Sequence, residues 1–264
     1  MLCFLKLGGS LITQKNRPHT ARRQTLERLS QEIAAATTER PDLMLIVGHG
    51  SGSFGHVAGK RHNTRNGVRT LEQWLGFVEV WQEARALNQI VINSLRSAGL
   101  PVIAFPPSAS VIAQDGKILE WNLRPLQSAL SAGLIPVTFG DVAFDTVRGG
   151  TILSTEELFV YLAKKLLPER ILLAGIEEGV WEDFPVCTHL INEITPKTFG
   201  NLAQYIRGSN AIDVTGGMAD KVQQMLELIK EYPTVQALIF SGDQSDLVRL
   251  ALMGKNPGTL IHAK

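Results

Sequence analysis

The residues best suited to chemistry in this chain are lysines, a histidine and clustered glycines, and they gather in three places. Lys6-Leu7-Gly8-Gly9-Ser10 follows a short apolar run. Adjacent glycines expose backbone N–H groups to a phosphate, and Ser10 adds a hydroxyl. Strand alternation turns Lys6 to the face opposite Leu5 and Leu7, where a charge is costly unless it meets solvent or an anion. Alone, the segment also reads as a turn after a strand whose lysine ends in water. The second cluster is His49-Gly50-Ser51-Gly52-Ser53-Phe54-Gly55-His56, followed by Lys60, Arg61, Arg65 and Arg69 with no acid as far as Leu71. A glycine-rich turn between strand and helix presents backbone donors and a helix N-terminus to an anion. The alternatives are a solvated basic face and, for His56, a capping or core histidine. The third is Asp213-Val214-Thr215-Gly216-Gly217-Met218-Ala219-Asp220-Lys221, where Thr215 can cap a helix and Lys221 falls about one turn in. By itself it is also an ordinary loop-to-helix junction.

Two familiar nucleotide signatures fail on context. Gly50-x-Gly52-x-x-Gly55 satisfies the dinucleotide-binding expression, which requires a second strand ending in an acid about 20 residues further on. Glu72 stands near that distance but inside a helical pattern. The Walker pattern fails because His56, not lysine, follows Gly55. The histidines, at 19, 49, 56, 62, 189 and 262, form no ligand pair on one helical face, and Cys3 and Cys187 lie far apart. No resident metal site is expected, so any metal arrives with the substrate.

The elements that must position these clusters alternate along the chain. Strands are expected over 2–7, 43–47, 102–105, 135–139, 171–174, 235–240 and 259–261, and helices over 20–38, 71–95, 124–132, 156–167, 218–231 and 245–253. Asp115-Gly116 signals a hairpin, and Gly149-Gly150 is expected to turn a second. The pattern is that of an α/β protein with a largely parallel sheet, and a change of character near Gly175 suggests two lobes, roughly 1–174 and 175–264, within one domain. The 264 residues carry 26 Lys and Arg against 25 Asp and Glu, a formal charge of +1, which argues against a nucleic-acid binder. No apolar run approaches the ~18–20 residues of a membrane helix. The opening Met1-Leu2-Cys3-Phe4-Leu5 is too short and lacks the basic flank of a signal peptide, so a cytoplasmic protein is expected.

Lys-x-Gly-Gly-Ser at the start, the glycine turn after the second strand, Gly140-Asp141 after a middle strand and Thr-Gly-Gly-Met-x-x-Lys near the C-terminus together resemble the amino acid kinase superfamily across essentially the whole chain. Within it, His-Gly-x-Gly-Ser-Phe-Gly-His and the spacing from Lys6 to Lys15 are similar to the isopentenyl phosphate kinases. The resemblance implies an open αβα sandwich, a homodimer, and transfer of the ATP γ-phosphate, with Mg2+, to isopentenyl phosphate. Carried over by position, Lys6, Gly8, Gly9 and Ser10 surround the nucleotide phosphates, with Ser51, Gly179, Gly216 and Gly217 on the ATP side. Lys15 and Lys221 neutralise the transferring group. Gly50, Gly55 and His56 hold the acceptor phosphate, and Gly140 and Asp141 complete the site, Asp141 orienting lysines. Two departures fall in the nucleotide half: Ser154-Thr155-Glu156 replaces Ser-Gly-Asp, and Glu178-Gly179-Val180-Trp181 replaces Asp-Gly-Val-Tyr. Trp74, Phe77, Trp81 and Ala84 recur at helical spacing; core packing is the default for such a stripe, and one or two of Phe77, Val80, Trp81 and Ala84 are the candidates for lining an isoprenoid tail, Phe77 and Trp81 first among them. The competing readings are a kinase of the same superfamily for another phosphate or phosphonate, such as a fosfomycin-type enzyme, and an ATP-binding sensor without turnover.

Overall fold

The computed structural model describes residues 1–14, 16–200 and 217–264, with backbone only at His56. Its strands are β1 (Leu2–Leu7), β2 (Met44–His49), β3 (Val102–Ala104), β4 (Val111–Gln114), β5 (Lys117–Trp121), β6 (Ile135–Phe139), β7 (Asp141–Asp145), β8 (Gly149–Leu153), β9 (Arg170–Gly175), β10 (Val180–Trp181), β11 (Leu190–Ile191), β12 (Glu193–Ile194), β13 (Gln236–Ser241) and β14 (Gly258–Ile261). The α-helices are α1 (Gly9–Ile12), α2 (Arg23–Glu39), α3 (Gly52–Arg61), α4 (Leu71–Ser97), α5 (Arg124–Ser131), α6 (Thr155–Leu166), α7 (Met218–Glu231) and α8 (Leu247–Leu252).

An eight-stranded sheet runs in the order β12-β14-β13-β9-β1-β2-β6-β3, parallel at every pairing except β13 with β14. Both faces are covered, which is why its central strands read as continuous apolar runs. Cys3, Leu5 and Leu7 of β1 join a core built with α2, α4 and α8. Phe4 turns the other way, into a core shared with α5, α6 and α7. This is the expected sandwich with helices on both sides of a mostly parallel sheet.

A smaller sheet, β5-β4-β7-β8, carries two hairpins. Asp115 and Gly116, at φ 49° and 78°, form the two-residue turn that Asp-Gly predicts. The second hairpin turns one step earlier than expected. Residues 146–148 make the turn, and Gly149 and Gly150 open β8. The Asp145 carboxylate sets this geometry by accepting from the amides of Val147 and Arg148 (2.9 and 2.8 Å) and, across the sheet, from those of Asp115 and Gly116 (3.1 and 2.7 Å). One buried acid thus ties both turns together. β7 is absent from the sequence-based expectation, and the expected helix at 20–38 begins at Arg23.

Candidate active site

β1 is the point at which the chain order reverses. β2 and β6 lie to one side of it, and β9 and β13 to the other. A crevice at the carboxyl ends of parallel strands is where ligands bind in such sheets, and here it holds a cavity of about 750 Å3. Lys6, Gly8, Gly9, Ser10, Gly50, Ser51, Gly140, Gly179, Gly217 and Lys221 all line it, so segments from widely separated parts of the chain meet as the sequence motifs require.

The first two glycine clusters are packed into each other. Gly8 N–H donates to Ala174 O (2.8 Å) and Gly50 N–H to Leu7 O (3.0 Å), pinning each loop to its neighbouring strand. Thr13 Oγ1 donates to Gly9 O (2.8 Å) and accepts from the Ser53 amide (2.9 Å), bolting α1 to α3. A Cβ on Gly9 would lie 2.4 Å from Gly52 N, and one on Gly50 2.8 Å from Gly9 N. The glycines are therefore demanded by loop-to-loop contact as well as by any anion. Gly55 sits behind this junction, beside Ser51 and outside the cavity lining. His49 supports it from below. It stacks on Phe139 at 5.2 Å, and its ring nitrogens lie 3.1 Å from Gly50 O and 3.2 Å from Asn88 Oδ1. Burial pushes its imidazole pKa down to about 4, which keeps the ring neutral.

The cavity floor is ionic. Lys6 shares its strand face with Phe4, and α6 covers both: Phe159 meets Phe4 at 5.2 Å, and one turn earlier Glu156 Oε1 accepts from Lys6 Nζ at 2.6 Å. Burial alone would raise the Glu156 carboxyl pKa, but the charges of Lys6 and Lys221 and the Lys6 hydrogen bond hold it below the ordinary value. Lys221 stands in the first turn of α7, where the helix dipole disfavours a cation. Glu156 offsets that repulsion. On the side wall formed by α3 and the smaller sheet, Lys60, Arg61 and Arg65 join the lining, with Arg61 paired to Glu79 (3.0 Å) and Arg65 to Glu157 (2.7 Å). The basic run after His56 is thus in part a cavity wall.

Asp141 makes its described contacts away from Lys6, while Lys15, another lysine it is expected to orient, lies outside the described residues. Its carboxylate accepts from the amides of Ser108 (3.2 Å) and Val142 (2.8 Å), and Glu156 is the acid that meets Lys6. Burial raises the Asp141 pKa to about 6, against which these hydrogen bonds act. A carboxyl raised in the folded state destabilises the fold once ionised, so its penalty is complete above pH 6 and fades as pH falls toward 3.8. We therefore expect the stability of the wild type to rise relative to Asp141→Asn by up to about 3 kcal/mol between pH 7 and pH 4. Chemical denaturation at both pH values measures this; a pH-independent difference would contradict it.

Toward β9 and β13 the lining becomes apolar, with Ile176, Val180, Trp181, Phe184, Met218 and Ile239. Trp181 Nε1–H donates to Glu177 Oε2 at 3.3 Å, and a Cβ on Gly179 would stand 2.6 Å from Thr259 Oγ1. The sequence marks Trp181 only as a departure from a motif, and nothing local marks Ile176 or Phe184. Phe77 and Trp81 do not join the cavity lining. Phe77 packs with Ala58, Val68, Val80 and Val142 against Trp74 and Phe144, and Trp81 lies beneath the Arg85 guanidinium. Ile152, which packs on that cluster and also lines the cavity, connects the two. Lys15, Thr215 and Gly216 lie outside the described residues, as does the side chain of His56, whose backbone is in the second turn of α3. Among the described residues no group of three His, Cys, Asp or Glu could hold a metal ion, and no helix is long and apolar enough to cross a membrane.

Residues 1–241 match the amino acid kinase family. The chain belongs to that family. This amino acid kinase is 32% identical to isopentenyl phosphate kinase of Methanocaldococcus jannaschii, over 99% of its own length and 98% of the relative's. It is 31% identical to isopentenyl phosphate kinase of Methanothermobacter thermautotrophicus over the whole of both chains. An X-ray structure of isopentenyl phosphate kinase superimposes with a TM-score of 0.83 at 28% identity, covering 99% of this kinase and 100% of the solved chain. The smaller sheet, the interlocked loops and the ionic floor are therefore features of an amino acid kinase fold.

Proposed function

We propose that this kinase transfers the γ-phosphate of ATP to isopentenyl phosphate, forming isopentenyl diphosphate. The observation that carries the reading is the ionic floor: a buried glutamate bonded to Lys6 and electrostatically stabilised by Lys221, between interlocked glycine loops, in a chain whose full-length relatives are named for this reaction. An acceptor oxygen attacks the γ-phosphorus as the bond to ADP breaks. The acceptor is a phosphate monoester, largely ionised at neutral pH, so the reaction requires little proton abstraction. The difficulty is holding two anions in line, and catalysis is positioning and charge neutralisation.

In this reading Lys6, Gly8, Gly9 and Ser10 take the nucleotide phosphates, and Ser51, Gly179, Gly216 and Gly217 flank the nucleotide. Lys15 and Lys221 neutralise the group in flight. Gly50 and His56 hold the acceptor phosphate, with Gly140 beside them and Gly55 packed behind on Ser51. Asp141 orients the lysines of the site, Lys15 among them. The apolar lining from Ile176 to Phe184 suits a nucleobase, and Val57 and Ile152 suit a short hydrocarbon tail. Glu156 is committed to Lys6, which fits a Mg2+ carried by the nucleotide rather than by a protein cage; the ion would offset part of the phosphate charge. The halves 1–174 and 175–264 serve acceptor and nucleotide, and the working form is a homodimer, as the family resemblance implies.

Purified protein assayed with ATP, Mg2+ and a panel of isopentenyl phosphate, dimethylallyl phosphate, fosfomycin, glutamate and UMP tests the assignment. Preference for a non-isoprenoid acceptor would overturn it, and ATP binding with no turnover would make the protein a sensor. His56→Ala is expected to lower kcat/KM for isopentenyl phosphate about 10- to 100-fold, the value of a hydrogen bond to a charged group, with ATP affinity nearly unchanged. Equal loss of both would assign the histidine a structural role.

A further inference from the structure

The first turn of α6 orders two cations. Glu156 turns to Lys6 and, one residue on, Glu157 turns to Arg65, whose Nη2 donates to Glu157 Oε1 at 2.7 Å. Consecutive residues of a helix point about 100° apart, so the two cations are held on different sides of the helix start, and both line the cavity. Glu157 already serves the helix: its Oε2 accepts from the Ser154 amide at 2.6 Å in a capping box. Pairing with Arg65 is an added task for its other oxygen.

Arg65 is also held at its backbone. Its carbonyl accepts from Thr151 Oγ1 (3.0 Å) and Arg148 Nη1 (3.3 Å), and Arg148 is in turn fixed by Asp115. Arg148 follows the Asp145 turn, so the knot that joins both hairpins also sets the position of Arg65. An exposed ion pair contributes about 0–1 kcal/mol, too little to account for a side chain fixed at both ends. A guanidinium has five N–H donors in a rigid fork suited to phosphate, and the bond to Glu157 occupies one of them.

We propose that Arg65 is an acceptor-side specificity residue, presented by Glu157 to the phosphate that the acceptor carries into the cavity, and that it favours phosphorylated over uncharged acceptors. This rests on the kinase reading above. Arg65 and Lys6 then supply positive charge on the acceptor and nucleotide sides of the two phosphates that must approach each other.

The test is steady-state kinetics of the full chain with ATP, isopentenyl phosphate and the uncharged alcohol isopentenol. Arg65→Gln is expected to raise KM for isopentenyl phosphate about tenfold while KM for ATP stays within twofold, and to reduce the preference for the phosphate over the alcohol by a similar factor. Arg65→Lys should recover part of the loss. Glu157→Gln keeps the capping box, since glutamine also accepts from the cap amide, yet frees the guanidinium, so its acceptor KM should rise by less than that of Arg65→Gln. An unchanged acceptor KM and unchanged discrimination in Arg65→Gln, beside an active wild type, overturns the proposal. So does an equal rise of both KM values, which marks a structural role. A wild type that phosphorylates no phosphate-bearing acceptor defeats the kinase reading first and this inference with it. Should Arg65→Gln fail to fold, Arg65→Lys and Glu157→Gln decide by the same split between acceptor and ATP.

Discussion

Lys6→Met is expected to lower kcat about a thousandfold or more, the range lost when a preorganised charge or donor is removed from a phosphoryl or acyl transfer site. The substitution also leaves Glu156 buried without its hydrogen-bonded partner. Breaking a buried pair from one side costs about 3–5 kcal/mol, reduced here because Lys221 still faces the carboxylate. Activity loss and unfolding would then be confounded. The double variant Lys6→Met/Glu156→Leu separates them, because replacing both members of a buried pair with apolar side chains is often neutral. It should regain most of the stability and none of the turnover.

The pH dependence has a definite sign. Glu156 has a depressed folded-state pKa, so its pairing contributes stability above its ordinary value of 4.5 and loses it as pH falls through the folded value. The stability gap between wild type and Lys6→Met should therefore narrow in acid. Denaturant titration at neutral and acid pH reads both effects. A single variant retaining turnover within tenfold of wild type, or a double variant that recovers it, would remove Lys6 from the reaction.

The scaffold is legible in the sequence wherever burial is two-sided. β1 and β6 appear as short, largely apolar segments with the expected bounds, β1 broken by Lys6 and β6 by Pro136 and Thr138, and α7 begins and ends where the pattern over 218–231 predicts. The phosphate-type loops are legible because glycine is demanded locally. The ionic floor is not, since Glu156 lies 150 residues from Lys6 and its type signals only a helix N-terminus. The Gly-Asp pair marks the end of β6, but its spacing does not show that the Asp141 carboxylate takes the Ser108 amide from another segment. Phe77 and Trp81 illustrate a third limit. An aromatic stripe at helical spacing looks the same whether it faces a core or a ligand, and for Phe77 the contacts that place it in a core come from Val68 and Phe144, outside the helix.

Gly9→Ala should reduce kcat about a hundredfold while leaving the chain folded. The added Cβ would stand 2.4 Å from Gly52 N and 2.7 Å from Gly52 Cα. These are backbone atoms of the opposing loop and cannot rotate away. Relief requires the two loops to part, and Thr13 resists by bonding to both Gly9 O and the Ser53 amide. A separation near 1 Å moves the groups assigned to ATP away from those assigned to the acceptor, and a misplacement of that size is worth about a hundredfold in rate. Gly133→Ala is the control. At φ 75° it strains the backbone, but its Cβ would meet nothing within 4 Å, so it should lose about 1 kcal/mol of stability and no activity. Thermal melts with paired kinetics distinguish the two. If Gly9→Ala kept full kcat, the contact between the loops would be a feature of folding alone, and the alignment of the two phosphates would have to depend on the lysines and not on the loops.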